Sequence, residues 1–297
     1  MSQDIAQTPP QSPLVPRLLD LDDTIQFDCH KGIGCYNACC RQADITLAPY
    51  DIIRLKTRLG MSSTEFLKKH TVPFEMDASG MPGVKLRTSD EEPVCLLMTD
   101  EGCSVYEDRP SACRYYPVGL MAMRPSDAPQ EEHHYCLVEE PHCLGHQQGR
   151  KITIADYRRE QGVEEYDELN RDWYQLILKK RSAGPAVGKP SPTSFQFFFL
   201  LSYDVDRFRE FTRTDSFRAT YALSDEEHES FDDDITLLRF GYRLLKQVLF
   251  GEVTIPLRDG ALEERIEKRR EILEARRQLE IELHRQKQDP YRSPCEG

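Results

Sequence analysis

No apolar run in these 297 residues approaches the ~20 positions a membrane-spanning helix needs, so no membrane span is expected. Mean hydropathy is −0.61, which agrees. A cationic excess is missing too: 39 Lys and Arg stand against 51 Asp and Glu, a net charge of −12. DNA and RNA binders draw their affinity from phosphate neutralisation, so neither is expected as a partner. The opening residues lack the basic stretch and apolar core of a secretory signal, and a cytoplasmic protein is expected. G-x-S-x-G, the Walker A loop and H-E-x-x-H are absent, so the commonest hydrolase, nucleotide and zinc-protease chemistries have no motif here. No repeat of fixed period occurs, which excludes a solenoid.

What is present is cysteine. There are ten, and nine lie between Cys29 and Cys143, leaving only Cys295 near the end. Scattered cysteines read as small buried hydrophobes; clustered ones do not. A reducing compartment disfavours a disulfide framework, and the same clustering there points to metal.

The chain is long enough to bury a core without disulfides, and at roughly 150 residues per domain it suggests two domains. Four segments are expected. Residues 1–24, with Pro9, Pro10, Pro13 and Pro16, read as a disordered arm. Residues 25–150 read as a cysteine-cluster domain of short strands and loops. Within it, Pro49 opens a helix that Gly60 closes, and Ser62 with Glu65 forms a capping box for a second. Hairpins are expected around Gly80–Gly83 and Asp100–Gly102, with a loop-rich stretch at 121–150. Residues 151–260 read as helical. Ile152, Tyr157, Tyr166, Leu169, Trp173 and Leu176 fall at helical spacing, and 182–194 reads as a linker. The burst Phe195, Phe197, Phe198 and Phe199 reads as core. Ser224 and Glu227 are read as capping one segment whose face is Ile235, Leu238, Tyr242, Leu245 and Leu249. Asp232–Asp234 reads as a charge run at a helix N-terminus. Residues 261–297 form a charged helix and tail, either packing one edge on the body or engaging a protein partner. The fold class is α+β: an irregular, metal-stabilised cysteine-rich domain followed by a mainly helical C-terminal region.

The candidate metal ligands are Cys29, Cys35, Cys39, Cys40, Cys95, Cys103, Cys113 and Cys143. Zinc or an iron–sulfur cluster wants about four thiolates or imidazoles per site. Eight sulfurs therefore suit two four-ligand sites, or one cluster plus one mononuclear ion. Adjacent side chains such as Cys39 and Cys40 leave the backbone in different directions and more easily serve two neighbouring metals, or one as ligand and the other behind the ligands, than one compact site. Cys136 and histidines 30, 133, 134, 142 and 146 are open as ligands or bystanders, and Cys295 reads as a bystander. Four thiolates on a divalent ion leave net negative charge. Arg109 and Arg114, flanking Cys113, are candidates to stabilise it from behind the ligands, against the alternative of surface pairing with Glu107 or Asp108.

These residues carry a resemblance. Phe27, Cys29, Gly34, Cys35 and Cys39–Cys40, then LAPYDIIRL from Leu47, CLL from Cys95, GCSVYEDRPSACRYYP from Gly102 and CLG from Cys143 are similar to the CxxCxxCC cysteine-cluster family. The first spacings, x5 and x3, are wider than that family's. The resemblance implies zinc or iron as cofactor, including an iron–sulfur centre such as a 4Fe–4S cluster. It names no reaction. Flagellin lysine N-methylases carry a similar cluster, so a cluster-dependent protein lysine N-methylase is a second reading, and an adaptor with purely structural zinc a third.

Overall fold

The computed structural model describes residues 17–41, 43–77, 80–123, 132–182 and 191–261, with scattered positions from 263 to 281. The fold is α+β: helices throughout the C-terminal half and four separate two-stranded sheets in the N-terminal half.

Strand β1 (Thr24–Gln26) precedes the cysteine-rich turns, which end in a 3₁₀ turn at Ala38–Cys40. Helix α1 (Pro49–Leu59) starts on the proline and stops at Gly60, whose φ of 64° is the left-handed conformation glycine adopts readily. Ala48, at the N-cap, has no oxygen to offer. Asp51 supplies it, its carboxylate accepting the Ala48 N–H at 2.8 Å. Helix α2 (Ser63–His70) begins with the expected capping box: the Ser62 hydroxyl accepts from Glu65 N–H at 3.2 Å, and the Glu65 carboxylate accepts from Ser62 N–H at 3.1 Å.

Both expected hairpins are present. Strands β2 (Thr71–Glu75) and β3 (Pro82–Leu86) pair antiparallel, as do β4 (Met98–Thr99) and β5 (Gly102–Cys103). Two stretches read as loop are ordered differently. Ser111–Tyr115 is a short helix, α3, entered from Pro110, which cannot continue a strand ladder. Residues 118–137 hold a further antiparallel pair, β6 (Val118–Met123) and β7 (Glu132–Leu137), whose alternation is obscured in sequence by Gly119 and the two histidines.

Strand β8 (Lys151–Thr153) pairs with β1, so Ile25 sits opposite Ile152. The helical spacing from 152 is split in two by Gly162, with φ 61°: α4 (Ile154–Gln161) and α5 (Val163–Ser182). Next come α6 (Pro192–Tyr203), α7 (Val205–Thr212), α8 (Asp215–Thr220), α9 (Asp225–Ser230) and α10 (Asp234–Phe250). The Ser224–Glu227 box caps only α9; the apolar face from Ile235 to Leu249 belongs to α10. Asp233 makes the new start, its carboxylate accepting from Thr236 N–H at 2.7 Å. A good capping residue thus ends one helix and begins another where periodicity alone ran through.

Two apolar clusters hold the molecule. The larger joins α1, α2 and the first hairpins to α5–α10, with Leu55, Phe66, Phe198, Phe208 and Leu244 fully enclosed. The smaller gathers Ile25, Phe27, Tyr115, Tyr135, Ile152 and Tyr157 around β1, α3 and β7. Leu19, within the expected N-terminal arm, is buried there and exchanges main-chain hydrogen bonds with Tyr135 at 2.8 and 2.9 Å; residues 1–16 lie outside the described residues. Polar clasps reinforce the larger cluster. Asn170 on α5 accepts from Tyr50 N–H at 3.0 Å, filling an open donor at the start of α1. Asp206 does the same for α2, accepting from the Ser63 N–H at 2.7 Å, while Asp204 accepts from the Ser63 hydroxyl at 2.7 Å. Lys56 on α1 bridges Asp206 at 3.1 Å and Asp234 at 2.9 Å.

The charged helix expected over 261–288 and Cys295 lie largely outside the described residues; the positions described there, such as Glu267 and Arg270, are helical. Among the described residues no helix is long and apolar enough to cross a membrane.

Candidate metal centre

The nine described cysteines are free thiols. The backbone carries eight of them to one side of the N-terminal half by four routes. The first is the run of tight turns from Cys29 to Cys40, where Ala38 N–H bonds to Cys35 carbonyl at 2.9 Å and Cys40 N–H to Asn37 carbonyl at 3.0 Å. Asn37 takes φ 66°, which a short polar side chain tolerates. The second route is the segment holding Cys95, whose N–H bonds to the carbonyl of Cys40 at 2.9 Å. The β4–β5 hairpin then sets Cys103 opposite Met98. The third is α3, with Cys113 on it. The fourth is the turn at Cys143, where Leu144 N–H points at the Cys35 sulfur at 3.2 Å.

Glycines make two of these approaches possible. A Cβ on Gly145 would collide with the Phe27 ring and lie 2.9 Å from the Asp28 carbonyl. That contact, with Asp28 N–H bonded to Gly145 carbonyl at 3.1 Å, locks the Cys143 turn onto the strand before Cys29. Gly102 has φ 126°, and a Cβ there would meet the Tyr36 hydroxyl at 2.7 Å.

Electrostatics shows which sulfurs are neighbours. Burial pushes the Cys29 thiol up to about 11, with further upward pressure from Cys39, Cys35 and Cys143. Cys113 is pushed up strongly, by burial first and then by Cys95, Cys103 and Cys39. Cys95 and Cys103 rise mainly through burial, opposed by the amides of Leu97 and Met98 beside the first and of Val105 beside the second. The neighbouring Cys39 and Cys40 thiols act on each other in opposite directions, Cys40 lowering Cys39 and Cys39 raising Cys40, with burial raising both. Cys29 thus feels Cys35, Cys39 and Cys143, Cys113 feels Cys95, Cys103 and Cys39, and Cys40 feels Cys39, Cys113 and Cys95.

Among the described residues, no three Cys, His, Asp or Glu side chains close around a point tightly enough to hold an ion. The donor set nevertheless suits a soft or borderline metal. It consists of thiols from four chain segments, partly desolvated and mutually repelling if ionised, with main-chain amides turned toward sulfur.

The remaining candidates are placed as follows. Cys136 stands apart on β7, its thiol 3.6 Å from the Gly119 carbonyl across the pair. His30 accepts the Gly32 N–H at its Nδ1, 3.1 Å away. His146 Nε2 is engaged by the Val138 carbonyl at 3.1 Å, His134 Nδ1 lies 3.2 Å from Asp20, and His142 Nε2 lies 3.5 Å from Glu140. The His133 side chain lies outside the described residues. Arg109 is buried, stacks on Tyr106 with its guanidinium 3.9 Å from the ring centroid, and pulls the Cys103 thiol down. Arg114 is buried too, and its guanidinium donates to the carbonyls of Arg109 at 3.0 Å, of Gln161 at 2.6 Å, and of Glu107. Its charge bears on Asp51. Asp108 is taken up by Arg54 on α1.

Sequence reasoning missed Asp51. It is fully buried, and its oxygens accept Ser111 N–H at 2.8 Å and Ser111 hydroxyl at 3.1 Å, tying α1 to α3 two residues before Cys113. A carboxylate three residues after an unsuitable N-cap alanine was the available signal.

This arrangement of turns, hairpin and YEDRPSACRYYP helix has a counterpart among known sequences. Residues 28–144 match the CxxCxxCC family, described as a "Putative zinc- or iron-chelating domain". The matched CxxCxxCC segment opens at Asp28 and ends at Leu144, so it contains all eight clustered cysteines and excludes α4 to α10. No curated protein and no solved structure matches the chain.

Proposed function

We propose that the CxxCxxCC domain chelates zinc or iron through Cys29, Cys35, Cys39, Cys40, Cys95, Cys103, Cys113 and Cys143. The observation behind this reading is that main-chain contacts bring cysteine segments far apart in sequence together, Cys95 N–H on the Cys40 carbonyl at 2.9 Å and Leu144 N–H on the Cys35 sulfur at 3.2 Å, inside the stretch that matches a zinc- or iron-chelating domain. A bound cation would supply the positive charge that lets the thiols ionise together and would cross-link the four segments, so binding energy becomes folding energy. The chain's own residues do the rest. Leu144 N–H steadies the Cys35 sulfur, Arg109 favours the Cys103 thiolate, and Arg114 holds the loop before α3 by its carbonyls. Nine free thiols suit a reducing compartment, and we place the protein in the cytoplasm.

The test uses cobalt(II) added anaerobically to metal-free full-length protein. Thiolate-to-cobalt charge-transfer absorption that saturates and is displaced by zinc is expected. Absence of that absorption from folded protein overturns the reading.

A further inference from the structure

A cavity of about 700 Å³ lies between α3, β2, β6 and α5, and none of the clustered cysteines lines it. That volume falls within the ~300–1,000 Å³ common for small-molecule sites. One wall is a single face of α5, where Asp167, Arg171, Tyr174, Leu178 and Arg181 recur at three- and four-residue intervals. The opposite wall includes Phe74 of β2 and Met76 just after it, and the floor includes Ser111 and Ala112 of α3.

Tyr174 stands at the open side of the cavity, 38% of its surface accessible, while residues of α3, β2, β6 and α5 face one another across it. The walls are mostly apolar and aromatic, and the charges on them are unbalanced. The wall carboxylate, Asp167, is taken by Arg158 at 2.7 Å and by the Tyr115 hydroxyl at 2.5 Å. Among the described residues no carboxylate pairs with Arg171 or Arg181; Arg181 reaches only the Met76 carbonyl, at 3.5 Å. In a chain of net charge −12, an apolar cavity is thus left with two unneutralised guanidiniums.

We infer that this cavity binds a small amphipathic anion, its apolar body against Phe74, Tyr174 and Leu178 and its acidic head on Arg171 or Arg181. Guanidinium forks suit carboxylate-type heads, and the aromatic walls give the body large contact area at small entropic cost. The ligand would lie against α3, adjoining Cys113, but its binding does not depend on the thiols.

The probe is 1-anilinonaphthalene-8-sulfonate, an anion on an apolar aryl body, titrated into the full-length folded protein. Saturable fluorescence enhancement at one site is expected, displaced by decanoate and not by decyltrimethylammonium. Arg171→Glu with Arg181→Glu should weaken it by about tenfold or more, with the thermal midpoint and metal content unchanged. Leu178→Trp, which narrows the apolar part of the cavity without touching charge, should also weaken it. No saturable binding, binding unchanged in both variants, or equal displacement by the cationic amphiphile would overturn the inference. None of these results bears on metal chelation, which is read from metal content.

Discussion

The carboxylate of Asp51 accepts the main-chain N–H of Ser111 at 2.8 Å, joining the first turn of α1 to the helix that carries Cys113. The same side chain caps its own helix through Ala48 N–H. One buried group thus fixes both the start of α1 and the approach of a cysteine-bearing element.

Asp51 makes stability depend on pH. Burial raises its pKa from 3.8 to about 6, against the downward pull of its hydrogen-bond donors and Arg114. The folded state therefore holds this proton more tightly than the unfolded state. Its contribution is fully present below about pH 4 and is lost as pH rises through about 6, a change of roughly 3 kcal/mol at most. Asp51→Asn cannot accept three donors and should destabilise at every pH. Because it does not ionise, its deficit relative to wild type should shrink between pH 4.5 and pH 7. Denaturant unfolding of both proteins across that range checks the sign; a deficit that grows with pH would contradict it.

Gly145→Ala should be poorly tolerated although the substitution adds one methyl group. The new carbon meets the Phe27 ring and the Asp28 carbonyl, and a carbonyl in a hydrogen-bonded turn cannot swing aside. Overpacking of this kind costs about 1–3 kcal/mol. Because the turn carries Cys143, metal content should fall along with the thermal midpoint, whereas Gly149→Ala, with open space around it, should leave both unchanged.

Arg114→Lys should also destabilise. The guanidinium reaches three main-chain carbonyls and lies 4.6 Å from the Tyr166 ring centroid. A lysine ammonium cannot reproduce a planar fork and leaves buried carbonyls unpaired, a loss of about 1–3 kcal/mol. Chemical denaturation with near-ultraviolet circular dichroism would measure it.

Much of this was legible in the sequence because its signals were local. Pro49 and Gly60 bound α1, Ser62 and Glu65 cap α2, and turn glycines mark both early hairpins. Signals that needed a partner far along the chain were not. Nothing around Ile25 announces Ile152 as its cross-strand neighbour, nor around Ala48 that Asn170 and Ser111 will complete the polar network there. Periodicity misled where it was continuous across a break: the apolar face of α10 was joined to the Ser224 cap, although the charge run Asp232–Asp234, read as a helix N-terminus, marks the true start at Asp233. For the site, the cysteine spacing gave the ligand candidates, but the grouping around Cys39 and the isolation of Cys136 follow from how the four segments fold together. The cavity beside α5 was invisible, since its walls come from four elements scattered between Thr46 and Arg181.

The central claim is that the clustered thiols hold metal and Cys136 does not. Its most direct test is the zinc and iron content per chain of protein purified anaerobically, for wild type, Cys113→Ser and Cys136→Ser. A stoichiometric amount of zinc or iron is predicted in the wild type, retained in Cys136→Ser and lost or sharply reduced in Cys113→Ser. Full metal content in Cys113→Ser, or none in the wild type, would contradict the account.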